Sequence, residues 1–589
     1  MSIPRLRSSC APLAVILLSA VTLAQSHGGT GSRPPQPTPG RVDPTSSRAA
    51  PANSASYRSA NDEGKLEFRT QTILVQVPVV VTDKSGNHIH GLTKDDFRLT
   101  ENGKEQTVST FEELVATTGK LPAPALKAGQ FANLTLSEDK PRTVTVIALD
   151  TVNTPFLDQA YGRRELVKYL AHSLDSGQVL ALMIMTSHGL KVVQSLTGDP
   201  EQLQQILKKA GGELPAMQGL DMDAQADAAT GDIPDMPAPS ATADPEAAMQ
   251  AFIERGDAIF SQYQQQNAIE TTMNSFLGIA WSLSGVPGRK SLIWATGGFP
   301  FTLRAPDAVP NGYLSNLYER TMAALAEAQI SVYPVDVRGL VNSNPIGEAS
   351  KSGMPTARQI SNRAWLQQSS IDSLNEFADM TGGKAFYNTN DLAASFKRAA
   401  DDASSYYLLG YYLDAHNDRA GWRQLKVKVD KKDTEVRARK GIFVTNATVH
   451  AQLSRNSDMN YALTTPVEGT GVPITVEWTG VVGEGEKKKA VFMARMPPNG
   501  LTIDPATQNK IDFEFATVAW SDKDHKQASS TAQNFAKVLP DAQLASIRTN
   551  GVSFKNAIEL APGKYTVRFV VRDNFTGKVG SVTAPLTVN

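Results

Sequence analysis

Three apolar runs organise the reading of this chain. VTVIALDTVNT (144–154), GRKSLIWATGGFP (288–300) and AQISVYPVDVRGL (328–340) are short, rich in strand-forming residues, and end in small, polar or acidic positions. Helical patterns lie between them. Residues 157–174 form an amphipathic helix, a second helix ends over 271–283, a third covers 314–328, and a fourth lies around 364–380. Strands alternating with helices predict a parallel sheet, and in an open sheet of that kind the ligand crevice lies at the carboxyl ends of the strands. Asp150, Asn153, Thr154, Thr296, Gly297, Gly298 and Asp336 are therefore expected along one rim. The run 179–187 adds a strand that turns back through 190–196, and Asp199-Pro200 opens a helix over 197–210.

Elsewhere the period changes. Residues 66–113 alternate at period two, and Asn102-Gly103 between alternating runs is a strong hairpin signal. A small β domain is expected over 65–116, with a linker over 117–140. The α/β domain is expected over 141–445, interrupted by a mobile insertion at about 211–250 that is acidic, rich in Ala, Met, Pro and Gly, and without periodicity. Its late runs over 406–444 alternate as an antiparallel edge would. Residues 446–589 carry short strand-like runs separated by turn residues, with a helix only at 536–548. That pattern predicts an antiparallel sandwich of immunoglobulin-like type.

Length and composition narrow the function classes. A chain of 589 residues suggests about three to five domains. The formal net charge is −1 with no strongly basic half, so nothing marks a nucleic-acid partner. Arg5 and Arg7 precede the apolar stretch 11–24, which ends in small residues. Residues 1–24 are expected to be a secretory signal peptide cleaved after Ala24, making the protein secreted or periplasmic. Residues 25–64, rich in Pro, Ser, Gly, Ala and Gln, read as a disordered linker. No later run approaches the length of a membrane span, so none is expected in the mature chain. Cys10 is the only cysteine and lies within the signal, so disulfides, thiolate metal sites and cysteine nucleophiles are not expected after cleavage.

The segment 66–445 resembles the von Willebrand factor A-related family of acidobacterial type. The residues that carry the resemblance are VVVTDKSGNHIHGLTKDDFRLTENGKEQTVSTF, ALDTVNTPF, PGRKSLIWATGGFPF, YPVDVRGL, FADMTGGKAFYNTNDL, YYLLGYY and VRARKGIF, in that order. The resemblance implies an α/β, von Willebrand factor A-like (Rossmann-like) doubly wound, mainly parallel sheet. The small β unit and the C-terminal sandwich would flank it. It further implies an exported protein of mostly unassigned function. Domains of this fold generally bind other proteins, often through a divalent metal.

In metal-binding members the first loop reads D-x-S-x-S, a second loop supplies Thr and a third supplies Asp. Here the first loop is Asp150-Thr151-Val152-Asn153-Thr154. Asp150 and Thr154 match, but Val152 stands at the first hydroxyl position and Gly297 where the acidic residue would be. The second-loop Thr is either Thr271 or Thr272. The resemblance thus implies a degenerate metal-ion-dependent adhesion site, with Asp150 and Thr154 as the ligands left for Mg²⁺ or another divalent cation. With one carboxylate fewer to offset dehydration of the ion, a metal-free rim is the favoured expectation. Asp150 would then cap the following helix or bond loop amides, Asp336 would pair with Arg338, and the glycines would serve a tight strand exit.

Other chemistry is sparse. His88-Ile89-His90 puts two imidazoles on one face of a strand, a zinc-binding spacing for which the sequence reveals no third ligand. Ser187 and His188 are adjacent, an arrangement that fits a turn better than a nucleophile and base. Tyr406, Tyr407, Tyr411 and Tyr412 fit a packed strand. No H-E-x-x-H, G-x-S-x-G or phosphate loop occurs. The expectation is a non-enzymatic adhesion-type module that binds a protein or cell-surface polymer along the rim, with Asn153, Thr296 and Gly297 as contact positions. The alternatives are a secreted hydrolase with an unrecognised carboxylate site and a purely structural envelope component.

Overall fold

A computed structural model describes residues 74–115, 126–133, 144–173, 179–197, 245–299, 312–340, 357–402, 404–413, 421–444, 447–483, 485–504 and 509–589. The signal peptide expected over 1–24, the linker over 25–64, all but the first residue of the helix expected over 197–210, and most of the 211–250 insertion lie outside the described residues.

The N-terminal strands are β1 (Leu74–Thr82), β2 (Phe97–Glu101), β3 (Lys104–Gln106), β4 (Thr110–Val115) and β5 (Gln130–Ala132). The expected hairpin is present. Glu101 pairs with Lys104, and Asn102 and Gly103 both adopt positive φ (47° and 81°), as a two-residue turn of type I′ requires. Next come β6 (Val144–Asp150), α1 (Phe156–Ser173), β7 (Val179–Thr186), β8 (Gly189–Thr197), α2 (Pro245–Leu283), β9 (Lys290–Thr296), α3 (Gly312–Glu327), β10 (Ile330–Asp336), α4 (Ala357–Thr381) and α5 (Leu392–Asp401). These give a five-stranded sheet in the order β10-β9-β6-β7-β8. Strands β10, β9, β6 and β7 pair in parallel, and β8 closes the edge antiparallel. One face packs Val146, Ala148, Leu292 and Trp294 against α2, α3 and α4. The other packs Ile147, Leu149, Ile293 and Tyr333 against α1 and α5.

The remaining elements are β11 (Ser405–Tyr412), β12 (Gly421–Val429), β13 (Glu435–Ala438), β14 (Gly441–Val444), α6 (Ala447–Thr464), β15 (Thr475–Val482), β16 (Lys488–Met496), β17 (Ile503–Asp504), β18 (Lys510–Ser521), β19 (Gln527–Val538), α7 (Asp541–Asn550), β20 (Val552–Leu560), β21 (Gly563–Asp573) and β22 (Val579–Val588). Strands β11 to β14 do not extend the mixed sheet, as their alternation suggested. They pair with the N-terminal strands in two antiparallel sheets, β13-β1-β11-β4 and β14-β12-β2-β3, which share a core of Val77, Val79, Leu99, Tyr407 and Leu425. Strand β5 joins β20, β16 and β15 in a third sheet. Strands β17, β18, β21 and β22, with β19 paired to β18, form another, and both line one core.

The expected fold class is therefore corrected. Of the twenty-two described strands, five lie in the mixed sheet, and the other seventeen form four sheets that pair antiparallel throughout. Among the described strands, parallel pairing is confined to three strand pairs. Over the described residues the molecule is mostly β, with five small sheets, four of them antiparallel throughout, and seven α-helices, and no doubly wound, Rossmann-like parallel core organises it. The physical reason is pairing at a distance: the β-rich ends of the segment 66–445 bond to each other, and the parallel run stops at the β7–β8 hairpin. Two local expectations also change. Residues 527–538 are strand, with the nearby helix starting at Asp541, and α6 occupies a stretch that carried no helix signal. No described helix is long and apolar enough to cross a membrane.

Candidate functional site

Strand β6 is buried along its whole length and delivers Asp150 to the carboxyl end of the mixed sheet. The carboxylate is only 2% exposed, and five donors converge on it. Its Oδ1 accepts the backbone N–H groups of Val152 (2.9 Å) and Asn153 (3.0 Å), so the loop folds back on its own first residue. Its Oδ2 accepts Asn153 Nδ2 (2.7 Å), Trp294 Nε1 (2.9 Å) and Thr296 Oγ1 (2.9 Å). Thr296 Oγ1 has a second acceptor, the Gly298 carbonyl at 2.9 Å, and its single proton serves one of the two. Burial pushes the Asp150 carboxyl above the ordinary carboxylate range, against the pull of its donors.

The neighbours are engaged as well, apart from Asn153 Oδ1, which is buried without a hydrogen-bond partner. Thr154 Oγ1 accepts the Gly297 N–H at 2.8 Å. Gln159 Nε2 donates to the Thr154 carbonyl at 2.8 Å, anchoring the loop to α1. Asn153 Nδ2 also donates to Thr272 Oγ1 at 2.9 Å, so Thr272, and not Thr271, is the threonine of α2 that meets the loop. Asp336 stands apart from this knot. It takes Arg338 N (3.0 Å) and Nε (2.9 Å) on Oδ1 and Nη2 (2.7 Å) on Oδ2, the pairing its sequence spacing suggested.

This donor set does not fit Mg²⁺. A carboxylate offers about four lone-pair directions, and those of Asp150 are filled by N–H and O–H groups that would face a cation with the wrong end of their dipoles. Val152 carries no oxygen on its side chain. Gly297 cannot be replaced by an acid in this backbone, because a Cβ there would lie 2.8 Å from Pro155 Cδ, 2.9 Å from Asn153 O and 2.9 Å from Thr154 Cα. Asp150 and Thr154, expected as the residual metal ligands, are thus parts of a hydrogen-bond knot that engages the Asp150 carboxylate and the Thr154 hydroxyl. Of the expected contact positions, Asn153 and Thr296 are fully buried, and Gly297 is buried against the loop.

On the α1 and β10 sides of the rim, the described residues expose large apolar side chains. Phe156 (56%) and Leu157 (80%) begin α1 immediately after the knot, and Leu340 (60%) follows Arg338 on the β10 side. Leu340 N donates to Asn390 Oδ1 (3.0 Å) and Tyr161 Oη donates to the Asn390 carbonyl (2.9 Å), which ties Leu340 to α1 one turn beyond Leu157. A signal for these residues was present. The buried stripe of α1 runs through Gln159, Gly162, Leu166, Tyr169 and Leu170, and Phe156 and Leu157 fall off it. The cavity under the loop, bordered by Asp150, Thr151, Thr154, Gln159 and Arg163, holds about 70 Å³, well below the roughly 300–1,000 Å³ of small-molecule sites. Ser187 Oγ does lie 3.2 Å from His188 Nδ1, because the two occupy the β7–β8 turn and not a strand; both are exposed there, outside any enclosed site.

No protein-family profile matches the sequence, and no curated protein matches it. Solved structures give partial likenesses. The conserved hypothetical protein BatB from Bacteroides thetaiotaomicron aligns over 44% of this chain and 98% of its own, at 15% identity and a TM-score of 0.22. The N-terminal domain of TFIIH p34 aligns over 44% and 95%, at 11% identity and 0.19. A mutant of the PilB minor pilin from Streptococcus sanguinis aligns over 56% and 77%, at 11% identity and 0.22. Likenesses this weak decide neither the fold nor the function of this chain.

Proposed function

We propose that this chain is an exported, non-enzymatic interaction module that holds a protein or cell-surface polymer partner at the carboxyl-end rim of its mixed sheet. Contact is made by apolar side chains, not through a metal ion. The observation that carries this reading is the exposure of Phe156, Leu157 and Leu340 beside a loop whose polar groups are all turned inward. Large apolar side chains gathered on a surface mark interaction sites, and a rigid base lowers the ordering cost of binding. The export signal read over residues 1–24 is part of the same proposal and would set the encounter outside the cytoplasm.

The experiment compares the full chain with a Phe156→Ser, Leu157→Ser variant for retention of surface proteins and polymers from the native host, followed by affinity measurement on the purified partner. The reading expects a loss of at least about tenfold, or about 1.4 kcal/mol. The unfolding free energy should stay within about 0.5 kcal/mol, as befits surface positions. Equal affinities for the two proteins would overturn it.

A further inference from the structure

The second candidate for chemistry lies in the antiparallel part of the molecule and is independent of the rim. Residues 83–90 form a tight return from β1. Asp83 Oδ1 accepts the N–H groups of Ser85 (2.8 Å) and Asn87 (2.9 Å), and Oδ2 accepts Asn87 Nδ2 (3.1 Å). Ile89 N then donates to Val81 O at 2.9 Å, and His88 bridges to Thr82. The returning segment is extended, so His88 and His90, two residues apart, face the same way. The third group comes from another strand. Glu113 of β4 sits opposite Tyr407 of β11, with Oε1 at 2.7 Å from His90 Nδ1 and 3.5 Å from His88 Nε2. Its Oε2 is fixed by the Gly91 N–H at 3.0 Å. One ligand atom from each of the three side chains lies within 4.8 Å of the others.

An ordinary ion pair between His90 and Glu113 accounts for part of this arrangement but not for His88. The His88 imidazole stacks on Tyr407 with ring centroids 5.4 Å apart, its side chain is 11% exposed, and neither ring nitrogen has a hydrogen-bond partner. Leaving both nitrogens of a buried imidazole unsatisfied is unfavourable, and a cation bound at Nε2 removes the deficit for one of them. Tetrahedral ligands about 2.0–2.1 Å from an ion stand roughly 3.3–3.4 Å from one another. The His88–Glu113 separation, 3.5 Å, is within about 0.2 Å of that value, and the His90–Glu113 contact, 2.7 Å, reaches it by a small outward movement of a side chain that is 59% exposed.

We propose that His88, His90 and Glu113 form a binding site for a divalent transition-metal cation of the Zn²⁺ class, with the fourth coordination position open on the solvent side at His90. Two imidazoles and one carboxylate suit Zn²⁺ and not Mg²⁺ or Ca²⁺, which take shells of oxygen. Tyr407 orients the His88 ring, and its hydroxyl accepts the Leu92 N–H at 3.1 Å while donating to Ile89 O at 2.7 Å, which pins the segment carrying both histidines.

The test titrates the full chain, stripped with EDTA, with Zn²⁺ alone. One saturable equivalent is expected. His90→Ala and Glu113→Gln should each weaken it at least tenfold, while His525→Ala, an exposed histidine elsewhere, should leave it unchanged. Urea midpoints in EDTA establish that the variants are folded. Co²⁺ bound to the unaltered chain should show the intense visible absorption of a four-coordinate site, a readout that needs no variant, and excess Mg²⁺ should not displace it. Absence of a saturable equivalent, a Co²⁺ spectrum of six-coordinate type, or Zn²⁺ affinity unchanged in His90→Ala and Glu113→Gln would each overturn the proposal.

Discussion

Lys290 stands at the start of β9, between Val144 of β6 and Ile330 of β10, and its ammonium group is cut off from water. Its Nζ donates to the Val286 carbonyl at 2.6 Å, and burial draws its pKa down to about 7. The unfolded chain binds a proton at this lysine up to about pH 10.4, whereas the folded chain releases it above about 7. Between those values the unfolded state holds more protons, so stability rises with pH, by up to about 1.4 kcal/mol per pH unit. Lys290→Met should remove this contribution. Urea unfolding at pH 7, 8.5 and 10 should give a shallower rise for the variant, and identical slopes would show that Lys290 stays charged. Nothing in the residue pattern signals this burial, since a lysine at a strand entrance ordinarily extends into solvent. Asp150 was more legible. Its place at a strand end is what lets its carboxylate take the loop amides of Val152 and Asn153. The contributions of Trp294 and Thr296 arrive from a strand more than 140 residues away and depend on the parallel register of β6 and β9.

At the scale of elements, Gly297 decides what the rim can become. The Asp150 loop crosses directly over it, and the Gly297 N–H is taken by Thr154 Oγ1. Gly297→Asp would place an acid on the rim, but its Cβ meets three atoms at 2.9 Å or less. The expected outcome is a loss of about 1–3 kcal/mol in urea unfolding, the cost of overpacking, with no stabilisation by Mg²⁺. A midpoint that rises with Mg²⁺ in this variant would refute the account of the loop. Elements with a clean apolar period were visible in the sequence, β6, β7, β9, β10 and α1 among them. Helix α6 was not, because its buried side carries Ser454 and Asp458 beside Met459 and Ala462. Asp458 is matched by Arg320 of α3 and Arg572 of β21, so charge pairing with distant residues holds a face that an apolar count overlooks.

At the scale of the whole molecule, the pairing of early with late strands is what the sequence concealed. Leu99 pairs with Val427, Val79 with Tyr407 and Ala132 with Thr475. Period-two alternation says that a strand has an inner face but not which strand covers it. Buried polar groups then stitch the sheets together. Arg289 donates to Asp402 O (2.6 Å), Tyr333 Oη (2.8 Å) and Gly382 O (2.9 Å), while its own N–H reaches Tyr406 Oη of β11 (3.1 Å). Asn133, beyond β5, donates to the Gly469 and Val472 carbonyls and accepts the Ile474 N–H. The Asp150 knot belongs to this set of internal ties, so its loss should register in the unfolding of the chain as a whole. Urea unfolding of the unaltered chain and of Asp150→Ala, each in EDTA and in excess Mg²⁺, tests that claim most directly. Asp150→Ala should lose about 3–5 kcal/mol, as expected when buried donors are left facing a void, and Mg²⁺ should move neither midpoint. A gain of about 2.7 kcal/mol in the unaltered chain at Mg²⁺ near 100 times its dissociation constant, absent in Asp150→Ala, would contradict the account and make the rim a cation site.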